Sequence, residues 1–317
     1  MQNEAEYKIQ NWPEYNKALI QRGSITIWFD EESLKKWFSQ SCSGTVGRPE
    51  TYSDEAMLML LIIKEVFKLT LRSLEGFARS IFGLMKVDLP VPSYSQISRR
   101  AQKLNKRVKR LFKKDIRHIA FDSTGLKVYG EGEWKVRVHG KSKRRTWRKL
   151  HLGIDLETQE VVSCELTKND VGDAQIGKKM LGKLDRIESA RGDGAYDSRE
   201  FRATVHKKGG ICIVPPPRDA VYKGALSGWE RERDACLAAI KGFGGGDEGR
   251  RLWKMCAFYH ERSLAETVMF RIKRLFGDHL KARNMEAQST EAICKCLALN
   301  KMTKLGMPKG EWIEKVA

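Results

Sequence analysis

The stretch His118-Ile-Ala-Phe-Asp-Ser-Thr-Gly-Leu-Lys-Val128 is where the chain changes its period. Upstream, Ile97, Ala101, Leu104, Val108 and Leu111 recur at steps of three and four, which is one apolar stripe of a helix. From His118 the pattern is that of a strand, with an aspartate set among apolar neighbours. Two more strand patterns follow, Thr146 to Ile154 and Val161 to Leu166, joined by a turn at Glu157-Thr158-Gln159. Asp173 is placed to cap a helix that runs to about Leu184. After it come Arg191-Gly-Asp-Gly-Ala-Tyr-Asp197, a helix from Ser198 to about Lys207, and a strand at Ile211-Cys-Ile-Val214. Strands first, then strands alternating with helices, predict an α/β fold with a mixed sheet flanked by helices.

Working outward, the preceding residues predict helices. Asp54 to Leu69 is apolar nearly all round, as a buried helix is. Leu71 to Lys86 is a second helix, stopped by Val87-Asp-Leu-Pro-Val-Pro92, and a third starts at Ser93 with Gln96 completing a capping box. Residues 1–115 therefore predict an all-helical domain, and its last two helices suit a helix-turn-helix. Residues 116–290 form the α/β domain, interrupted at 218–256 by an insertion containing the glycine-rich stretch Gly242 to Gly249. Residues 291–317 predict a helical tail.

The 317 residues carry 59 Lys and Arg against 40 Asp and Glu, a formal charge of +19. Such an excess repels itself unless a polyanion neutralises it, and nucleic acid is the usual one. An apolar content of 41% is enough for a core, which excludes wholesale disorder. The longest apolar run, Ala56 to Ile63, is too short to span a bilayer. Seven scattered cysteines without a Cys-x-x-Cys pair argue against zinc and disulfide frameworks. The opening residues lack a signal-peptide pattern, so a cytoplasmic location is expected. Two segments are purely basic: nine Lys or Arg between Arg99 and Lys114, and eight between Lys135 and Lys149, with no acid in either. Solvated helix faces normally mix signs, so these runs point to phosphate contacts, with Arg99, Arg100, Lys103, Arg144, Arg145 and Arg148 as candidates.

Three acids stand out. Asp122 lies inside an apolar strand, where propensity and desolvation both disfavour it. Asp193 sits in Gly192-Asp-Gly194, which is also ordinary turn chemistry. Glu266 completes a capping box with Ser263. At about 100° per residue, however, Tyr259, Arg262, Glu266 and Lys273 share a sector of roughly 60°. A solvated face and a ligand-facing one look alike in such a pattern. Brought together, three carboxylates would take up protons unless a cation joined them. Oxygen ligands select a hard ion, Mg²⁺ or Mn²⁺, and a pair of such ions suits phosphoryl transfer.

The chain resembles bacterial insertion-sequence transposases of the DDE type, in the IS5 family and near its IS903 group. The matching stretches are Phe121-Asp-Ser-Thr-Gly-Leu-Lys-Val128, Arg145-Thr-Trp-Arg-Lys-Leu-His151, Gly192-Asp-Gly-Ala-Tyr-Asp197 and Ala298-Leu-Asn-Lys-Met-Thr-Lys-Leu-Gly-Met307. Most specific is Tyr259-x2-Arg262-x3-Glu266-x6-Lys273, with the family's spacing. The resemblance implies a ribonuclease-H-like catalytic domain whose triad is Asp122, Asp193 and Glu266. It also implies that Tyr259, Arg262 and Lys273 contact the element's terminal DNA. Trp229 or Trp253, in the insertion, is a candidate for stacking on a displaced base. Asn169-Asp170 departs from relatives that carry a His before the Asp, which leaves Asp173 only a helix-capping role.

The expected activity is a transposase that binds terminal inverted repeats, nicks the element's ends and joins each 3′ hydroxyl to target DNA. Two Mg²⁺ ions held by the triad, with Mn²⁺ an acceptable substitute, would serve both steps. Joining two ends implies at least a homodimer on double-stranded DNA. Two alternatives stay open at this point: a structure-selective nuclease of the same fold, and a DNA-binding repressor with an idle triad.

Overall fold

The structure is a computed structural model, and it describes residues 5–29, 31–39, 50–128, 147–225 and 227–314. In chain order the elements are β1 (Ala5–Ile9), α1 (Trp12–Gln21), α2 (Ile25–Trp28), α3 (Glu31–Lys35), α4 (Asp54–Val66), α5 (Leu71–Met85) and α6 (Tyr94–Val108). Then come β2 (His118–Val128), β3 (Trp147–Asp155), β4 (Val161–Lys168), α7 (Asp173–Leu181), β5 (Ser189–Arg191), α8 (Arg199–Lys207) and β6 (Ile211–Ile213). Last are α9 (Gly228–Gly242), α10 (Gly246–Cys256), α11 (Ser263–Phe276), β7 (His279–Leu280), α12 (Met285–Leu305) and β8 (Gly310–Glu314). The chain divides into two compact units, residues 1–97 with 297–317, and residues 98–296.

In the first unit α4 is buried on most sides, as its all-round apolar sequence requires. Ser53 caps it by accepting the Ala56 amide at 3.0 Å. Trp37 packs edge-on against Phe82 and donates its indole N–H to the Pro90 carbonyl at 2.8 Å. The Ser93–Gln96 capping box forms, with Ser93 N–H donating to Gln96 Oε1 at 2.9 Å. An all-helical N-terminal region is not what the structure shows. β1 pairs antiparallel with β8, Ala5 to Glu314 through Ile9 to Gly310. The expected helical tail likewise ends with α12 at Leu305, and the chain turns into β8.

The second unit is built on one six-stranded sheet in the order β4-β3-β2-β5-β6, with β7 paired to the end of β2. β2, β3 and β4 are antiparallel, whereas β5 and β6 run parallel to β2. Three antiparallel strands followed by two parallel ones, with helices on the faces, make the ribonuclease-H-like sheet. Side chains alternate along β2, so Ile119 and Phe121 point one way while Ala120 and Asp122 point the other. Ile119 and Phe121 enter a core with Ile176 and Met180 of α7 and Phe201 and Val205 of α8. Rings of Phe121, Tyr196 and Phe201 meet there at centroid separations of 5.3–6.1 Å. α11 packs on β2 and β3 through Ala265, Val268, Met269, Ile272 and Phe276. The insertion is two helices, α9 and α10, turned by Gly244, Gly245 and Gly246, all at positive φ. No described helix is long and apolar enough to cross a membrane.

Glu165 on β4 is buried and gathers Lys109 at 2.6 Å and Lys183 at 2.5 Å. Burial alone would raise its carboxyl pKa, but the two ammonium groups outweigh burial and hold it below 4.5. A depressed carboxylate stabilises the fold above its unfolded pKa, and that stabilisation is lost as pH falls through the folded value. Glu165→Gln is therefore expected to cost about 1–3 kcal/mol at pH 7. Urea midpoints of the two proteins should converge as the pH drops below about 4.5.

Candidate active site

β2 delivers Asp122 to the sheet face away from the aromatic core, with its side chain only 16% exposed. Its Oδ1 accepts the Ser123 amide at 2.8 Å. β5, parallel to β2 and beside it, ends at Arg191 and hands the chain to Gly192 and Asp193. Asp193 caps the short turn Gly194–Tyr196, its Oδ1 accepting the Ala195 amide at 3.0 Å. The ordinary turn role and the candidate catalytic role thus fall on one residue. Glu266 rides on the first turn of α11 and is 55% exposed. The expected capping box there does not form. A 3₁₀ turn, Tyr259–Arg262, runs straight into α11, so Ser263 is already helical and makes no cap bond.

Arg262 joins the acids instead. One guanidinium nitrogen donates to Asp122 Oδ2 at 3.5 Å and another donates to Glu266 Oε1. The Tyr259 ring lies 5.8 Å from the Arg262 guanidinium carbon and 5.4 Å from Lys254 Nζ. Burial raises the Asp122 pKa, and the charges of Asp193 and Glu266 push it the same way, against the Ser123 amide and Arg262. Burial also raises the Tyr259 phenol, while for Arg262 burial is outweighed by Tyr259, Glu266 and Asp122, which strengthen its hold on the proton. Tyr196 is pushed up as well, by burial and then by Asp173, Asp122 and Asp193. Its ring belongs to the aromatic core with Phe121 and Phe201.

Carboxylate oxygens that share one cation are a fitting set for a hard divalent ion. Among the described residues no three His, Cys, Asp or Glu side chains already stand at metal-ligating spacing. Arg262 lies between two of the acids instead.

The remaining expected residues are placed less uniformly. Lys273 is half-buried, two helical turns or about 10 Å beyond Glu266. Arg99 and Lys103 are exposed on α6, but Arg100 is buried and so is no free phosphate contact. Arg148 donates to Gln288 Oε1 at 3.0 Å. Arg144 and Arg145 lie outside the described residues. Trp229 is half-buried and lines a cleft of about 370 Å³ with Arg199, Lys223 and Arg233. Trp253 is buried, 6.4 Å from the Tyr259 ring, which leaves it no open face for a base.

Asp173 does not cap the helix as expected. Gly172 occupies the cap position, and Asp173 accepts Lys149 at 2.8 Å and faces His151 Nδ1 at 3.2 Å. Burial pulls the His151 pKa down to about 4, so the imidazole is neutral at physiological pH. Sequence reading missed Arg191 altogether. It is a buried arginine at the end of a buried strand, and nothing in the local pattern sets it apart from the surrounding surface cations.

Gly192, beside Asp193, lies close against the Tyr196 ring. A methyl group there would meet the Tyr196 ring at 2.8 Å. Gly192→Ala is expected to cost about 1–3 kcal/mol through overpacking. The urea midpoint measures it, and Gly172→Ala, with open space around its added methyl, is the control expected to change little.

Comparison with known proteins places the chain in a family. Two family profiles described as Transposase DDE domain match residues 20–131 and residues 113–301. Among solved structures, the chain is similar to the Drosophila P element transposase strand transfer complex, at 11% identity over 86% of this chain and 85% of that one, with a TM-score of 0.31. It is also similar to the Mos1 transposase paired-end complex with left transposon end, at 14% identity over 81% of both chains, with a TM-score of 0.23. Those TM-scores are low, and the assignment rests on the domain match. With more than half of its residues inside one such profile, the chain belongs to the transposase DDE domain family.

Proposed function

We propose that the chain is the transposase of a bacterial insertion sequence, of the IS5 family near its IS903 group. It binds the terminal inverted repeats, nicks the DNA at the element's ends and joins the 3′ hydroxyls to target DNA. The observation that carries this reading is Arg262 bonded to both Asp122 and Glu266, with Asp193 near enough for its charge to act on Asp122.

In this reading Asp122, Asp193 and Glu266 hold two Mg²⁺ ions, for which Mn²⁺ can substitute. When bound, such ions activate the attacking oxygen and stabilise the departing one. The protein's own part is to position and to neutralise. Asp122 is fixed on β2 and Asp193 in the turn that follows the adjacent β5, each by an amide bond, from Ser123 and Ala195, so two of the three ligands are set before DNA arrives. Glu266 is more exposed and is oriented through its helix. Arg262 and Lys273, with the Tyr259 phenol, supply donors for the phosphates that flank the scissile bond. Arg99, Lys103 and Arg148 extend that grip along double-stranded DNA. Joining two ends in one complex requires two copies of the chain, so the working form is a homodimer on DNA, in the bacterial cytoplasm at the nucleoid.

Incubation with Mg²⁺ and labelled terminal-repeat DNA tests this. The wild type is expected to yield strand-joined product. Cleavage without joining would instead mark a nuclease, and a mobility shift without cleavage a repressor. Asp122→Asn should retain DNA binding while its cleavage rate falls by more than about a hundredfold, since even second-sphere changes cost metal sites 10–100-fold. Loss of binding together with cleavage would overturn the ligand role of Asp122.

A further inference from the structure

Arg191 is the last residue of β5, two positions before Asp193, and its side chain is 7% exposed. The guanidinium makes three contacts. It donates to Ser189 Oγ at 2.7 Å, to the Phe258 carbonyl at 3.2 Å, and pairs with Glu261 Oε2 at 2.7 Å. Ser189 lies on the same strand and is itself held by His118 at 2.9 Å. Phe258 and Glu261 bracket Tyr259 and immediately precede Arg262. One side chain therefore ties the strand that presents Asp193 to the turn that launches Glu266.

The tie sits where the backbone is under strain. Phe258 is left-handed, at φ 52° and ψ 33°, a conformation that a bulky residue adopts only when its surroundings impose it. Its ring is 59% exposed and so does not impose it. Its carbonyl accepts Arg191 Nε. A buried guanidinium opposite a half-exposed carboxylate is also a poor way to gain stability, because desolvation offsets most of the attraction. The fork geometry of Arg, with donors in three directions, is what the junction uses.

We propose that Arg191 is a positioning residue, which holds the turn before α11 against the end of β5 so that Glu266 and Arg262 meet Asp122 and Asp193. This rests on the reading of those acids as metal ligands. Arg191 acts through Phe258 and Glu261.

The test is Mn²⁺ affinity of the full-length protein without DNA, measured by electron paramagnetic resonance of free Mn²⁺, with circular dichroism as the folding control. Arg191→Met is expected to raise the Mn²⁺ Kd by about 10–100-fold, as loss of outer-sphere support does. Adding Phe258→Gly to Arg191→Met should recover part of that affinity, since glycine adopts the left-handed turn without needing the lost bond. A residue that supported only global stability would give no such recovery. Should Arg191→Met not fold, Glu261→Gln carries the test, because it removes one anchor at a half-exposed position and is expected to raise the Kd several-fold. Unchanged affinity in the folded variants, while Asp122→Asn loses Mn²⁺ binding, would overturn the Arg191 proposal alone. Unchanged affinity in Asp122→Asn would overturn the acid reading, and the role of Arg191 with it.

Discussion

Asp122 has to carry a negative charge where the sheet and α11 leave little water, with two further carboxylates close enough to oppose it. Much of the second unit follows from making that possible. The parallel pairing of β2 and β5 sets Asp122 on one strand and Asp193 just beyond the end of its neighbour. The apolar face of α11 presses its first turn onto β2 and β3, which sends Arg262 and Glu266 toward Asp122. Arg262 supplies a full positive charge that bonds both Asp122 and Glu266. A guanidinium can bridge them but cannot activate water or accept a leaving oxygen. Its position marks where a harder cation has most to gain.

What the residues disclose in advance is local. β2 was legible because an aspartate interrupts an otherwise apolar strand, and α11 because Val268 and Ile272 repeat at helical spacing. The face shared by Tyr259, Arg262 and Glu266 was legible for the same reason, although spacing alone left a solvated face equally open. The β1–β8 pairing was hidden because its strands lie at opposite ends of the chain, and no local period encodes a partner that distant. The capping box at Ser263 misled for a different reason. Its sequence is correct for a helix start, but a 3₁₀ turn enters from Tyr259 and removes the start from that position. Glu266 was then free to accept Arg262. A local rule failed where the candidate site had another use for the side chain.

The excess charge is likewise divided more finely than composition suggested. Within the basic run from Arg99 to Lys114, Lys109 is spent on Glu165, Lys113 approaches Asp155 at 3.8 Å, and Arg100 is buried. Lys149, in the second run, belongs to Asp173. These cations neutralise buried acids and knit β3, β4 and α7 together. A sign-pure run in sequence is not sign-pure in space, because its opposite charges arrive from other elements.

The same logic explains why Arg191 left no trace in the sequence while sitting beside the best-marked motif. Its partners, Phe258 and Glu261, are more than sixty residues away, and their relevance appears only once α10 has turned back toward the sheet. An acid such as Asp122 announces itself by being out of place among apolar neighbours. A buried arginine in a chain with nineteen surplus positive charges does not. It is distinguished by burial and by the directions of its bonds, and both are properties of the folded chain.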